Sequence, residues 1–253
     1  RNRREEGIPV LEMKFENSLN GIFSAEQRDA ILSAFEDSER LDKTRANEFL
    51  EAYFPLRIVT YETIPDSGGP GLHRGGNGLS MGYQFLEPGE ISIHDDRWLT
   101  HPWGVKGGLP GQRSNKLMVR ADGKNEWMKS KCDRIKVSVG DTLYFNTWGG
   151  GGWGDPLERD AGKVSLDVQR GLVSVEGSRR YGMVLQSDLS VRESATANLR
   201  RQMASERGKV DLFNFGGTVE ELKARCKADT TLEPPRTPVF QKWVTRSAGD
   251  AAG

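Results

Sequence analysis

Between residues 54 and 147 the chain sets short apolar runs between clusters of Gly, Pro, Asp and Ser. Phe54-Pro-Leu-Arg-Ile-Val-Thr-Tyr-Glu-Thr-Ile64 is β-branched and aromatic and predicts a strand, with Pro55 confined to its start or edge. Further strands are predicted over 79–86, 89–94, 116–121, 134–138 and 142–147. The turn signals Pro88-Gly89, Pro110-Gly111, Asp122-Gly123 and Gly140-Asp141 separate them. Asp122-Gly123, between Leu117-Met-Val-Arg120 and Glu126-Trp-Met128, is a hairpin signal. No helical period intervenes, so the pattern predicts an antiparallel sheet, a sandwich or a partly closed barrel.

The two ends carry a helical period instead. Ser24-Ala-Glu-Gln27 fits a capping box, and Ala30, Ile31, Ala34 and Phe35 follow on one face of a helix predicted to end near Leu41. Residues 42–50 are polar and read as a joint. Beyond Pro156, a helix is predicted from Asp160 to Arg170, closed by Gly171, and a second from Ser174 to Arg180. Tyr181-Gly-Met-Val-Leu185 reads as a short strand. Two more capping boxes, Ser190-Val-Arg-Glu193 and Thr218-Val-Glu-Glu221, open helices carrying Ala195, Leu199 and Met203, and Val219, Leu222 and Cys226. The Pro-rich stretch 233–240 reads as extended chain packed on the body. The fold class expected is α+β, a Gly-rich, mainly antiparallel β body with an N-terminal helix and a C-terminal helical region. The domains expected are 1–48 (helical extension), 49–158 (β body) and 159–253 (helical region and tail).

Composition narrows the function classes. Lys plus Arg and Asp plus Glu number 36 each, so no net field draws the chain to nucleic acid or membrane. The apolar runs fall far short of the roughly 20 residues that span a bilayer. No charged-then-apolar start suggests a signal peptide, and Cys132 and Cys226 lie too far apart in unlike segments to suggest a disulfide framework. A cytoplasmic location is expected.

Residues 68–154 hold 19 of the 30 glycines together with Trp98, Trp103, Trp127, Trp148 and Trp153. Flexible linkers lack tryptophan, so these are expected to be ordered loops, with the tryptophans in a core or a subunit contact. Gly149-x-Gly151-x-x-Gly154 matches a dinucleotide fingerprint only because a glycine run makes the match cheap; no βαβ unit surrounds it. No GxxxxGK[ST] is present. His73, His94 and His101 are the only histidines, and none has metal-ligand spacing. His94-Asp95-Asp96-Arg97 places His94 and Asp96 on one face of a strand and Asp95 and Arg97 on the other. That is either a site wall with an imidazole beside a carboxylate or a strand end with an internal ion pair. Asp66 and Arg74 flank a glycine turn. Asp66 is suited to capping backbone N–H groups, and Arg74 to a carboxylate, a phosphate or Asp66 itself. Gly75-Gly76 and Gly107-Gly108 are candidate anion-binding nests, with tight turns as the plain alternative. Asp66, Arg74, His94 and Asp96 are the candidate catalytic residues. Gly68, Gly69, Gly75, Gly76, Gly107, Gly108, Gly111, Gly151, Gly152 and Asp155 are the candidate substrate- or anion-binding loops.

Tyr53-Phe-Pro-Leu-Arg57, Asp66-Ser-Gly-Gly-Pro-Gly71, Arg74-Gly-Gly76, Gly107-Gly-Leu-Pro-Gly111 and Gly149-Gly-Gly-Gly-Trp-Gly-Asp-Pro156 together resemble the hydantoinase B/oxoprolinase family, over about residues 45–230. The resemblance implies a B-type subunit of an ATP-dependent enzyme, inactive alone. Some members open cyclic amides such as hydantoins, lactams or 5-oxoproline; others carboxylate ketones such as acetone or acetophenone. It implies that ATP and Mg are bound by an actin-like A-type ATPase partner, and that ATP phosphorylates an amide or enolate oxygen. The chain resembles the C-terminal half of a B-type subunit. The family's His/Asp-rich metal segment belongs to the N-terminal half, so a divalent metal in the assembled complex would not be bound by this chain alone. A separate polypeptide is expected to supply that half. Three readings stay open: a cyclic-amide hydrolase subunit, a ketone carboxylase subunit, and a non-catalytic structural subunit.

Overall fold

A computed structural model describes residues 24–26, 28, 29 and 46–236. The chain divides into two compact units, Arg1–Arg57 and Ile58–Gly253. In the first, residues 25, 26, 28 and 29 are helical, and the Arg28 N–H donates to the Ser24 carbonyl at 2.9 Å. The rest of the helix expected to Leu41 lies outside the described residues. Helix α1, Ala46–Tyr53, occupies much of the expected polar joint. Ala46, Leu50 and Tyr53 recur at helical spacing there, a period that the surrounding charges obscure.

The second unit contains the β body. Its strands are β1 (Leu56–Thr63, which begins across the boundary), β2 (Leu79–Phe85), β3 (Gly89–His94), β4 (Gly104–Val105), β5 (Asn115–Val119), β6 (Asn125–Trp127), β7 (Lys131–Val137), β8 (Thr142–Asn146) and β9 (Phe213–Asn214). A five-stranded sheet has the order β1-β2-β8-β5-β6, and β3-β7 and β4-β9 form two-stranded sheets. Met81 pairs with Phe145, Met118 with Leu143 and Leu117 with Trp127, all antiparallel. The Asp122-Gly123 hairpin forms, with Gly123 at φ 85°. Strands β4 and β9 were not expected; each is too short to carry an alternating pattern.

The expected α+β class is therefore observed. Phe85, Met118 and Leu143 from the large sheet meet Ile93 and Val137 from the β3-β7 pair, and Met128 completes the cluster. Each such side chain, fully buried, contributes about 1.5–3 kcal/mol. Alternation along β5 sends Met118 into this core and also carries Lys116 inward, where neither its side chain nor that of its partner Asp95 is exposed.

A second core of Val164, Val168, Val173, Tyr181 and Met183 lies under the helical region. Helix α2 (Ala161–Gln169) is capped by Asp160, which accepts from the Lys163 N–H, and Gly171 follows it at φ 70°. Helix α3 (Val175–Ser178) is capped by Ser174 and runs into a 3-10 turn, Arg179–Tyr181. The strand expected over 181–185 is absent. Tyr181 closes the 3-10 turn, Gly182 reverses the chain at φ 65°, and only Leu185 forms a bridge, to Val191. Helix α4 (Glu193–Glu206) exists, but without the expected box. It starts at Glu193, past Ser190, whose hydroxyl donates instead to Asp188 at 2.6 Å. Helix α5 (Val219–Thr230) has its box complete: Thr218 Oγ1 accepts from the Glu221 N–H, and Glu221 Oε2 accepts from the Thr218 N–H. Leu222 and Cys226 of α5 are buried, and both Cys132 and Cys226 are free thiols. Among the described residues no helix is long and apolar enough to cross a membrane.

Candidate functional site

Three runs far apart in sequence, 66–78, 102–112 and 148–154, meet backbone against backbone. The Gly69 N–H donates to Gly150 O (2.8 Å), Gly150 to Gly76 O (2.8 Å), Leu109 to Pro70 O (2.7 Å) and Gly152 to Leu109 O (2.9 Å). The approach leaves no room for a side chain. A Cβ on Gly75 would lie 2.0 Å from Gly150 O, and one on Gly108 would lie 2.0 Å from Gly152 O. Glycine is required there by contact distance, not by dihedral angle. Steric closeness also accounts for Gly68, Gly69, Gly111, Gly151 and Gly152, whereas Gly76 faces open space. Gly107 adds a positive φ of 93°. Of the two candidate nests, Gly75 already donates to Gly69 O (2.9 Å) and Gly108 to Val105 O (3.0 Å).

Asp66 and Arg74 do not clamp each other. Both reach the helical region. Asp66, at φ 62°, accepts from the Ser174 N–H at 3.0 Å and pairs with Arg180 at 3.3 Å. Arg74 pairs with Asp167 on α2 at 3.3 Å and donates to Gly75 O at 2.9 Å. Arg159 meets the same Asp167 oxygen at 2.8 Å, and Asn77 donates to Leu172 O at 2.8 Å. One carboxylate thus serves two guanidinium groups where the glycine runs dock on the helices.

Asp155 ends the third run. Its carboxylate caps the 3-10 turn Pro156–Glu158 through the Leu157 N–H (2.8 Å) and receives the Arg207 fork, one arm at 2.6 Å. The hydrogen bonds from Arg207, with the Leu157 amide in support, hold its pKa below the usual carboxylate range against the opposing effect of burial. A depressed folded-state pKa contributes stability above the unfolded value, near pH 4, that is lost as pH falls through the folded value. Asp155→Asn keeps the cap and removes the charge. We expect it to cost about 1 kcal/mol at pH 7 and nothing once the carboxyl is protonated. Urea unfolding of both proteins from pH 7 to pH 2 checks this; a difference that survives at pH 2 would contradict it.

His94 and Asp96 both point outward. His94 lies 3.1 Å from Asp133, and Asp96 pairs with Lys131 at 3.4 Å, all on exposed side chains. The buried group is Asp95, whose Oδ2 receives the Ser114 hydroxyl and the Lys116 ammonium while Oδ1 has no partner. Burial pushes the Lys116 pKa down, to about 8. The Asp95 carboxylate lies against the ammonium, and opposite charges in contact favour each other's charged form. The sequence held a sign of this arrangement: Ile91, Ile93 and Asp95 share strand parity, and the isoleucines face the core.

Ser114 also borders a cavity of about 220 Å³ that sequence reasoning missed, walled by Trp98 and Trp127 with His101, Arg113 and Arg225. His101 Nδ1 lies 2.7 Å from Gly111 O, so this nitrogen donates. Nε2 is then the acceptor for the Arg225 guanidinium at 3.3 Å. Burial lowers the His101 pKa, with the Arg113 and Arg225 charges in support and the Gly111 hydrogen bond and the Asp229 charge opposing, and an Nε2 that accepts from Arg225 carries no proton. Arg113 pairs with Asp229 at 2.5 Å and donates to Trp98 O at 3.2 Å. His101 and Arg225 lie 124 positions apart and share no motif.

Among the described residues no group of three or more His, Cys, Asp or Glu side chains is placed to hold a metal ion. What is built here is a glycine seam locked to a helical region through partly buried Arg–Asp pairs. Such a seam defines a rigid loop platform.

Residues 39–156 match the family model described as hydantoinase B/oxoprolinase. The B-type subunit of the putative D-/L-hydantoinase of Pseudomonas sp. (strain NS671) is 30% identical over 191 residues, covering 74% of this chain and 31% of that protein. The beta subunit of caprolactamase from Pseudomonas jessenii is 32% identical over 155 residues, covering 59% of this chain and 26% of that protein. The crystal structure of the ATP-dependent caprolactamase from Pseudomonas jessenii superposes with a TM-score of 0.51 at 28% identity, covering 62% of this chain and 28% of that chain. Nucleotide-free acetone carboxylase superposes with a TM-score of 0.54 at 20% identity, covering 73% of this chain and 29% of that chain, a likeness of fold alone. The resemblance read from the glycine-rich motifs is thereby borne out: residues 39–156 match the hydantoinase B/oxoprolinase model. The chain spans less than a third of the length of these curated relatives.

Proposed function

We propose that this chain is part of the B-type subunit of an ATP-dependent cyclic-amide hydrolase, acting on a lactam, hydantoin or oxoproline-type ring. The observation that carries the reading is the likeness to caprolactamase, which holds in sequence, at 32% identity over 155 residues, and in fold. That enzyme is described as ATP-dependent. The sequence has no GxxxxGK[ST] phosphate-binding loop of its own. ATP and Mg are assigned to an actin-like A-type partner, and any divalent metal to a polypeptide supplying the rest of the B-type subunit. The role of this chain is to hold its glycine loops, with Asp66 and Arg74 at their base, as a rigid wall of the assembled site.

The test is to isolate the chain with its native partners and assay ATP hydrolysis by the complex. Lactams or hydantoins are expected to stimulate it without bicarbonate. A requirement for a ketone together with bicarbonate would replace this reading with the carboxylase one. Unchanged turnover after alanine replacement at Asp66, Arg74, His94 and Asp96 in turn would leave a structural subunit.

A further inference from the structure

We propose that the cavity between α5 and the loop preceding β5 is a binding site for a small carboxylate with an apolar body, and that Arg225 is its anion-binding group. The charges in the cavity do not balance. Two guanidinium groups, Arg113 and Arg225, meet one carboxylate, Asp229, which Arg113 already holds. Arg225 forms no ion pair among the described residues; its hydrogen bond goes to the neutral His101. Glu221, one turn earlier on α5, accepts from the Thr218 N–H in its own capping box at 2.8 Å. Arg225 therefore borders the cavity with no carboxylate in salt-bridge contact, its hydrogen bond going to an imidazole lone pair and its charge acting on Glu221 only through space.

A guanidinium offers a planar fork that a carboxylate fills with two parallel hydrogen bonds. Trp98 and Trp127 supply apolar walls for the remainder of the ligand. At about 220 Å³ the cavity lies below the roughly 300 Å³ at which drug-sized pockets begin, so the ligand is small. The inference is independent of the proposed reaction.

The test uses isothermal titration of the 253-residue chain with hexanoate, with hexanamide and inorganic phosphate as comparators. Saturable hexanoate binding is expected, with no binding of hexanamide. Arg225→Ala should weaken binding at least tenfold, and Arg225→Lys should restore part of it. Arg225 is exposed on α5, so these variants are expected to keep the fold, which circular dichroism checks. The imidazole ¹⁵N shifts of His101 in the unsubstituted chain supply a second readout: hexanoate should perturb Nε2, because it draws Arg225 away. Equal binding of the amide, equal binding by Arg225→Ala, an unmoved Nε2 signal, or binding of phosphate in preference to hexanoate would each overturn the proposal.

Discussion

Gly75→Ala is expected to destabilise the β body by about 3 kcal/mol, while Gly76→Ala, one residue on, is expected to be neutral or slightly stabilising. The added carbon at position 75 would sit 2.0 Å from Gly150 O and 2.4 Å from the carbonyl carbon, whereas at 76 it meets nothing within 4 Å. The obstacle at 75 is backbone, so relief requires moving a whole run, which also strains the Gly69–Gly150 and Gly150–Gly76 hydrogen bonds. At Gly76 the φ angle is not in the left-handed region, and alanine only narrows the unfolded ensemble. Urea unfolding of both variants measures the contrast. Equal stability would mean that the seam tolerates a side chain, and that its glycines are there for something other than contact distance.

Lys116→Met carries the other large expected effect, a loss of about 3–5 kcal/mol. Methionine fits the volume but leaves the Asp95 carboxylate buried with only the Ser114 hydroxyl, and Oδ1 already lacks a partner. Removing the stranded charge as well, in Lys116→Met with Asp95→Asn, should recover most of the loss, because a neutral amide still accepts from Ser114. The coupling energy from that double-mutant cycle is expected to exceed about 1.5 kcal/mol. Additive effects would show that the pair contributes little, and that the cost of Lys116→Met lies in packing.

Local chemistry made much of the fold legible. Thr218 with Glu221, Asp160 with Gly171, and Asp122-Gly123 each settle one element within a few residues, and each formed. Where a local signal failed, a neighbouring one outcompeted it: the Ser190 hydroxyl bonds Asp188 two residues back instead of capping the helix ahead. The family was legible because close backbone packing needs glycine at fixed places, and those places spell a pattern. The polar partners were not. Asp66 finds Arg180, 114 residues away, and Arg74 finds Asp167, because the helical region folds back onto the loops. No spacing rule contains that information. His94 and Asp96 were predicted to share a face, but its outward direction depended on Ile93, whose burial turns the next residue to solvent.

The seam also sets a schedule for the chain during synthesis. Gly75 and Gly150 touch, yet 75 residues separate them, which at about 5–20 residues per second is roughly 4–15 s of translation. Through that interval the first glycine run has been made while the third run does not yet exist. The strands between, including the β5-β6 hairpin, are local enough to form first. The seam can close only when residues 148–154 arrive, because they bond to both earlier runs. A ribosome paused before residue 148 would hold the first two glycine runs without the third that bonds to both.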